Sequence, residues 1–360
     1  MTIARQVVLD PKAIRRSRVL GILFMAVGVT IYLLFATSTQ AGQTAAFGLN
    51  PGRQTAALPI PDLVIPVLPS LYAMSVASVL LGAWQLARGF GRAEGAMLGL
   101  VALFLTVSFL AWAARGQGLN LVGILETTLQ RATPIALAAL SGVLCERSGI
   151  VNIAIEGMML TAAMVSALVG SMSHSLWVGL IASLLAAGLL GLLLAVLSIR
   201  FKVNQIIAGT AINILATGGT SYISAKFLAV FQELNNPGKF PNLPVPLLSR
   251  IPLLGPIFFE TNIIVYMTLA LLVLVHVLIY YTPWGLRTRA IGEHPRAADT
   301  LGVNVFGLRY LNVVLGGMMA GLAGAFLVLG SVPRFDELMT AGNGFIGLAA
   351  LSFGNWDPFG

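Results

Sequence analysis

The stretch Cys145–Leu160, CERSGIVNIAIEGMML, sets Glu146, Arg147, Ser148, Asn152 and Glu156 between long runs of Ala, Leu, Val and Ile. Polar and ionisable groups in such surroundings are costly unless they face a bundle interior, a partner or water. Their concentration at one place therefore marks a position where an apolar chain needs them. Working outward, apolar segments recur at Val19–Ala36, Leu63–Ala87, Ala96–Ala113, Leu121–Leu144, Ile150–Gly170, Leu176–Ile199, Gln205–Val230, Asn262–Tyr281 and Tyr310–Val332, with a Gly-rich one at Thr340–Phe353. The first of them makes about 27 Å of helix, close to the thickness of a bilayer core. It reads as an uncleaved signal anchor rather than a signal peptide, although Thr39–Ala41 loosely resembles a cleavage site.

Composition leads to the same class. The chain of 360 residues is 57% hydrophobic and 9% charged, with mean hydropathy +0.90. A soluble domain needs about 25% charged residues to cover its surface. The expected fold is all-α: a polytopic transmembrane helical bundle of about nine to ten hydrophobic segments. Its 39 glycines suit close helix packing in lipid. Pro66 and Pro69 fall where the first turns of a span accommodate them. The Gln40–Asp62 and Phe231–Thr261 segments read as loops, the latter rich in proline.

The net charge of +8 is read through topology rather than as a nucleic-acid signal, because no basic patch with interleaved aromatics is present. With the N-terminus cytoplasmic, the inside segments hold Arg5, Lys12, Arg15, Arg16, Arg18, Arg88, Arg92, Arg147, Arg200, Lys202, Arg287, Arg289, Arg296 and Arg309. The outside segments hold only Arg53, Arg115, Lys239, Arg250 and Arg334. That asymmetry supports the spans and puts the Thr282–Arg309 loop inside. Glu126 and Arg131 are five apart, so they share no helix face, and the first half of Leu121–Leu144 is expected at the interface.

Several chemistries are set aside. Cys145 is the single cysteine, which removes an internal disulfide and a thiolate zinc cage. The three histidines make no metal constellation, and no cofactor is expected. There is no phosphate-binding GxxxxGK[ST] loop, since Gly238-Lys239 is followed by Phe240. Gly342–Gly347 matches G-x-G-x-x-G by letter but follows no strand pattern. His174 and His276 read as structural, and enzyme activity in this chain is not expected.

Two places remain as candidate sites. Asn152 and Glu156 are four apart and would share a helix face looking into the bundle. With Glu146 and Asn213 they are candidates for a translocation path or gate; an interhelical clamp near the cytoplasmic face fits the same residues, and Asn204 and Gln205 are weaker members. The second place is the inside loop, where Glu293 precedes a short helical pattern. Pro295 suits a first helical position, Arg296, Ala297, Ala298 and Asp299 follow, and Gly302 suits the position just past the end. Ala297, Ala298 and Leu301 are expected to form a small apolar face, as a docking knob or equally as a plain connector.

On these residues the chain resembles a known family. GEHPRAADTLGVNV (Gly292–Val305) looks like the cytoplasmic coupling segment of permease subunits of ATP-binding-cassette importers, of the branched-chain amino acid/ribose type. ERSGIVNIAIEGMML (Glu146–Leu160) and TAGNGFIGLAALSFGNWDP (Thr340–Pro358) resemble blocks of the nucleoside/simple-sugar branch. The resemblance covers Leu119–Gly360 and leaves residues 1–118 as an extra N-terminal module of about three spans. It implies separate ATP-binding subunits, a second homologous permease subunit, an extracellular substrate-binding lipoprotein and a bacterial plasma-membrane location. It also implies a nucleoside or simple-sugar substrate and a chain truncated at its C-terminus, because the family continues past the GNWDP block. A secondary transporter would need midplane carboxylates, for which Glu156 is the one good candidate; a non-transporting scaffold is the other alternative.

Overall fold

The computed structural model describes residues 11–50 and 61–360; Arg5 and Arg53, used in the charge comparison, lie outside them. Among the described residues, eight helical stretches are long and apolar enough to cross a membrane. The chain divides into two compact units, Met1–Ile124 and Leu125–Gly360.

The first unit holds α1 (Pro11–Thr30), β1 (Thr44–Gly48), β2 (Leu63–Pro66), α2 (Val67–Ala87), α3 (Glu94–Ala113) and β3 (Gly118–Asn120). β1 pairs antiparallel with β2 and parallel with β3. The reading of Gln40–Asp62 as plain loop therefore misses a strand, and Leu63–Pro66, taken as the start of a span, is its partner. The reason is local: Pro66 ends the extended run and stands as the N-cap of α2, with ψ of 115°. α1 and α2 come together where Gly21 meets Gly82, and a Cβ at Gly82 would lie 2.7 Å from the Gly21 carbonyl. Ser75 donates across the same seam to the Gly28 carbonyl at 2.8 Å.

The second unit begins in α4 (Leu121–Arg147), which runs on through Pro134. The helix is continuous across Pro134, as a proline in a packed apolar helix can be accommodated by its neighbours. Then follow α5 (Ile155–Ser173), α6 (Leu176–Ala195), α7 (Gln205–Ile223), β4 (Asn242–Pro244), α8 (Leu254–Phe258), β5 (Glu260–Asn262), α9 (Ile263–Tyr281), α10 (Pro283–Glu293), α11 (Pro295–Thr300), α12 (Val305–Ala325) and α13 (Asn343–Phe353). The Pro-rich loop thus contains a short antiparallel pair, β4 with β5, and one turn of helix.

α5 and α12 form the centre of this unit. Their most apolar windows are 67% and 72% buried, against 28% for α9. α6 and α12 approach closely because Gly191 and Gly317 face each other. A Cβ on Gly191 would lie 2.8 Å from the Val313 carbonyl, and one on Gly317 would lie 2.7 Å from that of Ala187. The outer faces carry Leu189, Ile207 and Ile214, each more than half exposed, which is the pattern of helices that face lipid. The basic residues Arg147, Arg200, Arg289 and Arg309 gather at the end of the unit where α4 and α6 finish and α7 and α12 begin.

Substituting Gly191 by Leu would overpack the α6–α12 seam at about 1–3 kcal/mol. Gly191→Leu is expected to lower the unfolding temperature in detergent, while Leu189→Ala, on the exposed side of the same helix, leaves it nearly unchanged.

Candidate functional site

The segment between α4 and α5 is where the second unit concentrates its polar bonding. α4 finishes at Arg147, and Gly149 turns the chain with φ of 85°. Residues 150–154 then re-enter the bundle without helix, and α5 starts only at Ile155. Asn152 therefore lies outside α5 and does not share a helix face with Glu156, contrary to the four-residue spacing argument. It is fully buried; its carbonyl accepts from the Ala154 N–H at 3.1 Å, and its amide faces the sulfurs of Cys145 (3.5 Å) and Met158 (3.7 Å).

α7 bonds part of the unwound backbone of 151–154, whose polar groups have no helix to pair in. Gln205 accepts from the Val151 N–H at 2.7 Å. Asn213, about 12 Å further along the helix, makes a two-point contact: its carbonyl accepts from Gly157 N–H and its amide donates to the Ile153 carbonyl, both at 2.8 Å. Beside it Glu156 accepts from the N–H groups of Gly342 (2.8 Å) and Gly344 (2.7 Å). Gly342 has φ of 83° and no side chain with which to cap α13. Glu156, in the first turn of α5, thus supplies the cap for another helix, and its charge complements the positive ends of both.

Glu146 faces away from this group. It accepts from the indole N–H of Trp356 at 2.5 Å. Arg147 donates to the carbonyl of Trp356 at 2.9 Å and to the Tyr280 hydroxyl at 3.0 Å. Arg309 donates to the carbonyls of Ser148 (3.0 Å) and Ile291 (3.3 Å). The structure therefore splits the four gate candidates: Asn152, Glu156 and Asn213 lie around the start of α5, while Glu146 lies at the basic end. From sequence, Arg309 stands only among the inside charges and Trp356 only within the Thr340–Pro358 block, and the buried Asn312 is passed over. A Trp in a Gly-Asn-Trp-Asp turn was the available signal for the second.

The loop after α9 is two consecutive helices. α10 starts with Thr282 accepting from the Gly285 N–H at 3.2 Å. α11 has Pro295 in its first turn and is followed by Gly302 with φ of 80°. The expected apolar face is not formed. Ala298 turns inward onto Ile291 and Val305, whereas Ala297 is exposed and Leu301 is 84% exposed. The reason is that α11 ends at Thr300, so Leu301 leaves the helical register. Glu293, Arg296 and Asp299 are exposed as well.

At the opposite end a cavity of about 790 Å³ is lined by Gln232, Glu233, Asn235, Arg334, Asp336 and Glu337, among others. Its floor is tied by Asn235, which donates to the Phe335 carbonyl (2.9 Å) and accepts from the Phe335 N–H (2.7 Å). Among the described residues no group of three or more His, Cys, Asp and Glu could hold a metal ion.

A bundle of this kind, with lipid-compatible outer faces, a polar seam at a broken helix and a two-helix loop at its basic end, is a multi-pass membrane transport component. The chain belongs to the family described as "Branched-chain amino acid transport system / permease component", whose profile matches residues 124–360. It is 39% identical over 247 residues to the guanosine ABC transporter permease protein NupQ of Bacillus subtilis, covering 66% of this chain and 76% of that one. It is 34% identical over 249 residues to the nucleoside ABC transporter permease protein NupC of Lactococcus lactis (66% and 77%). A putative glucose ABC transporter permease protein, TsgC13 of Haloferax volcanii, is 35% identical over 240 residues (66% and 71%). No solved structure matches.

Replacing Glu156 by Ala leaves the Gly342 and Gly344 amides without their acceptor, a loss of about 1–3 kcal/mol. Glu156→Ala is expected to unfold at lower temperature in detergent than the parent, with Glu156→Gln between them. Identical melting of all three would show that the contact contributes nothing.

Proposed function

We propose that this chain forms the translocation path of an ATP-binding-cassette importer in the plasma membrane, with a nucleoside as substrate. The observation that carries the reading is the 39% identity to a guanosine permease over a stretch as long as the whole second unit. The polar seam around α5 and the exposed α10–α11 pair are consistent with it. A simple sugar is the second reading, favoured by the likeness to a putative glucose permease. Both substrates present ring hydroxyls, so they draw on the same side-chain chemistry.

In this reading the basic end faces the cytoplasm. ATP-binding subunits dock on Glu293, Pro295, Arg296, Ala297, Asp299 and Gly302, with Ala298 holding α11 to the bundle. ATP is hydrolysed in those subunits, not here. A second permease subunit completes the path, and an extracellular binding lipoprotein delivers substrate to the end that carries the Gln232–Glu337 cavity. Glu156, Asn152 and Asn213 act at the gate, where rearrangement of short helix ends would alternate access. Glu146 acts from the cytoplasmic side.

Two measurements test this. In proteoliposomes holding the chain with its partner subunits, guanosine uptake is expected to require ATP and to be competed by nucleosides more strongly than by glucose. Uptake that needs only an ion gradient would contradict it. Reversing two exposed charges, Arg296→Glu with Asp299→Arg, is expected to weaken retention of the ATP-binding subunit in a pull-down by about tenfold, the scale of a few interfacial charge contacts; unchanged retention would move the docking surface elsewhere.

A further inference from the structure

We propose that α13 is the arm that carries motion of the cytoplasmic loop into the membrane. Trp356 and Glu146 are its joint and act as positioning residues for transport. The inference rests on the transport reading above and goes beyond it by assigning a residue set and a direction of transmission.

Both ends of α13 are held by glutamates that flank one turn of chain. At its start Glu156 grips the Gly342 and Gly344 amides. Past its end Glu146 takes the Trp356 indole N–H, and Arg147 takes the Trp356 carbonyl. Between these points α13 lies along α4 without slack: Gly347 sits on Ala138 and Ala139, and Leu351 fills the space beside Gly142. A helix of 11 residues pinned at both ends moves as one piece.

The joint also touches the cytoplasmic loop. A Cβ on Gly292, near the end of α10, would strike the Arg147 carbonyl, so backbone meets backbone there. Tyr280 lies between two guanidinium groups, Arg147 at 5.9 Å and Arg289 of α10 at 5.2 Å from its ring centre. Arg309 ties the same turn to α10 through the carbonyls of Ser148 and Ile291. Between α10 and the joint a cavity of about 250 Å³, lined by Glu146, Arg147, Arg289, Gly292, Glu293 and Trp356, leaves room for the end of α10 to move. Movement of α10 would therefore reach Arg147, and through the Trp356 carbonyl would reach α13. The far end of α13 lies at Glu156, beside Asn213 on α7.

The test uses the complete transporter in proteoliposomes, with guanosine uptake and ATP hydrolysis followed together. Trp356→Phe keeps an aromatic ring and removes the indole N–H; Glu146→Leu keeps a similar size and removes the acceptor. Each is expected to leave ATP hydrolysis within about twofold and to lower guanosine taken up per ATP by about tenfold, the effect of one lost bond to a charged group. A wild-type ratio in both variants overturns the joint. A parent complex without ATP-driven uptake overturns the importer reading instead, and the arm with it.

Spin labels on the otherwise native complex give an independent readout that does not depend on those variants. Leu301, Phe345 and Tyr222 are exposed, and Cys145, being buried, takes up no label. On trapping ATP, the distance from Leu301 to Phe345 should stay constant while that from Phe345 to Tyr222 changes by about 2 Å, the size of a helix shift. A moving Leu301 with Phe345 fixed against Tyr222 overturns the arm.

Discussion

The bond of the Glu156 carboxylate to the Gly342 and Gly344 amides is the contact on which the second unit's inner architecture turns. Lipid supplies no water to a helix end, so a helix that begins inside a bundle must find acceptors among side chains. α13 begins after a glycine and has no cap of its own. An ionised glutamate in the same surroundings needs donors. Each group satisfies the other, and the pairing places the start of α13 against the start of α5. Asn213 plays a similar part at the start of α5, bonding the Ile153 carbonyl and the Gly157 amide at once.

Packing around these contacts follows from small residues rather than from large ones. In lipid no hydrophobic force presses helix to helix, and close backbone approach must provide the attraction. Gly191 against Gly317, and Gly324 against the carbonyl of Met159, bring α12 onto α6 and α5. The centre of the unit sets these glycines and many alanines among larger side chains such as Met158, Met159, Leu160 and Leu194, all fully buried. The centre also buries polar side chains within its helices, among them Ser166, Ser183 and Asn312, beside those at the helix breaks.

Much of this was legible in the sequence, and the rest was hidden for physical reasons. Low charge, recurrent apolar runs and the Lys/Arg asymmetry specify a helical membrane bundle, because only a helix or a closed barrel satisfies its backbone in lipid. Three motifs gave the family. Spacing failed at Asn152 and Glu156, because the i, i+4 rule presumes a helix that starts at Ile150, and the chain stays unwound to Ala154. It failed again at Leu301, which leaves α11 one residue too early to share its face. The short strands β1 to β3 carry no long alternation to betray them. The partners of Glu146 and Glu156 lie some two hundred residues away in sequence, and pairing at that distance is set by the fold, not by local pattern.

The central claim is that α13 is held at its start by Glu156. Hydrogen–deuterium exchange of the Gly342–Ile346 amides in lipid nanodiscs tests it most directly, on the unaltered chain. The structure predicts that the Gly342 and Gly344 amides exchange as slowly as the buried helix α5. Exchange as fast as that of the exposed residues Arg334, Asp336 and Glu337 would contradict it.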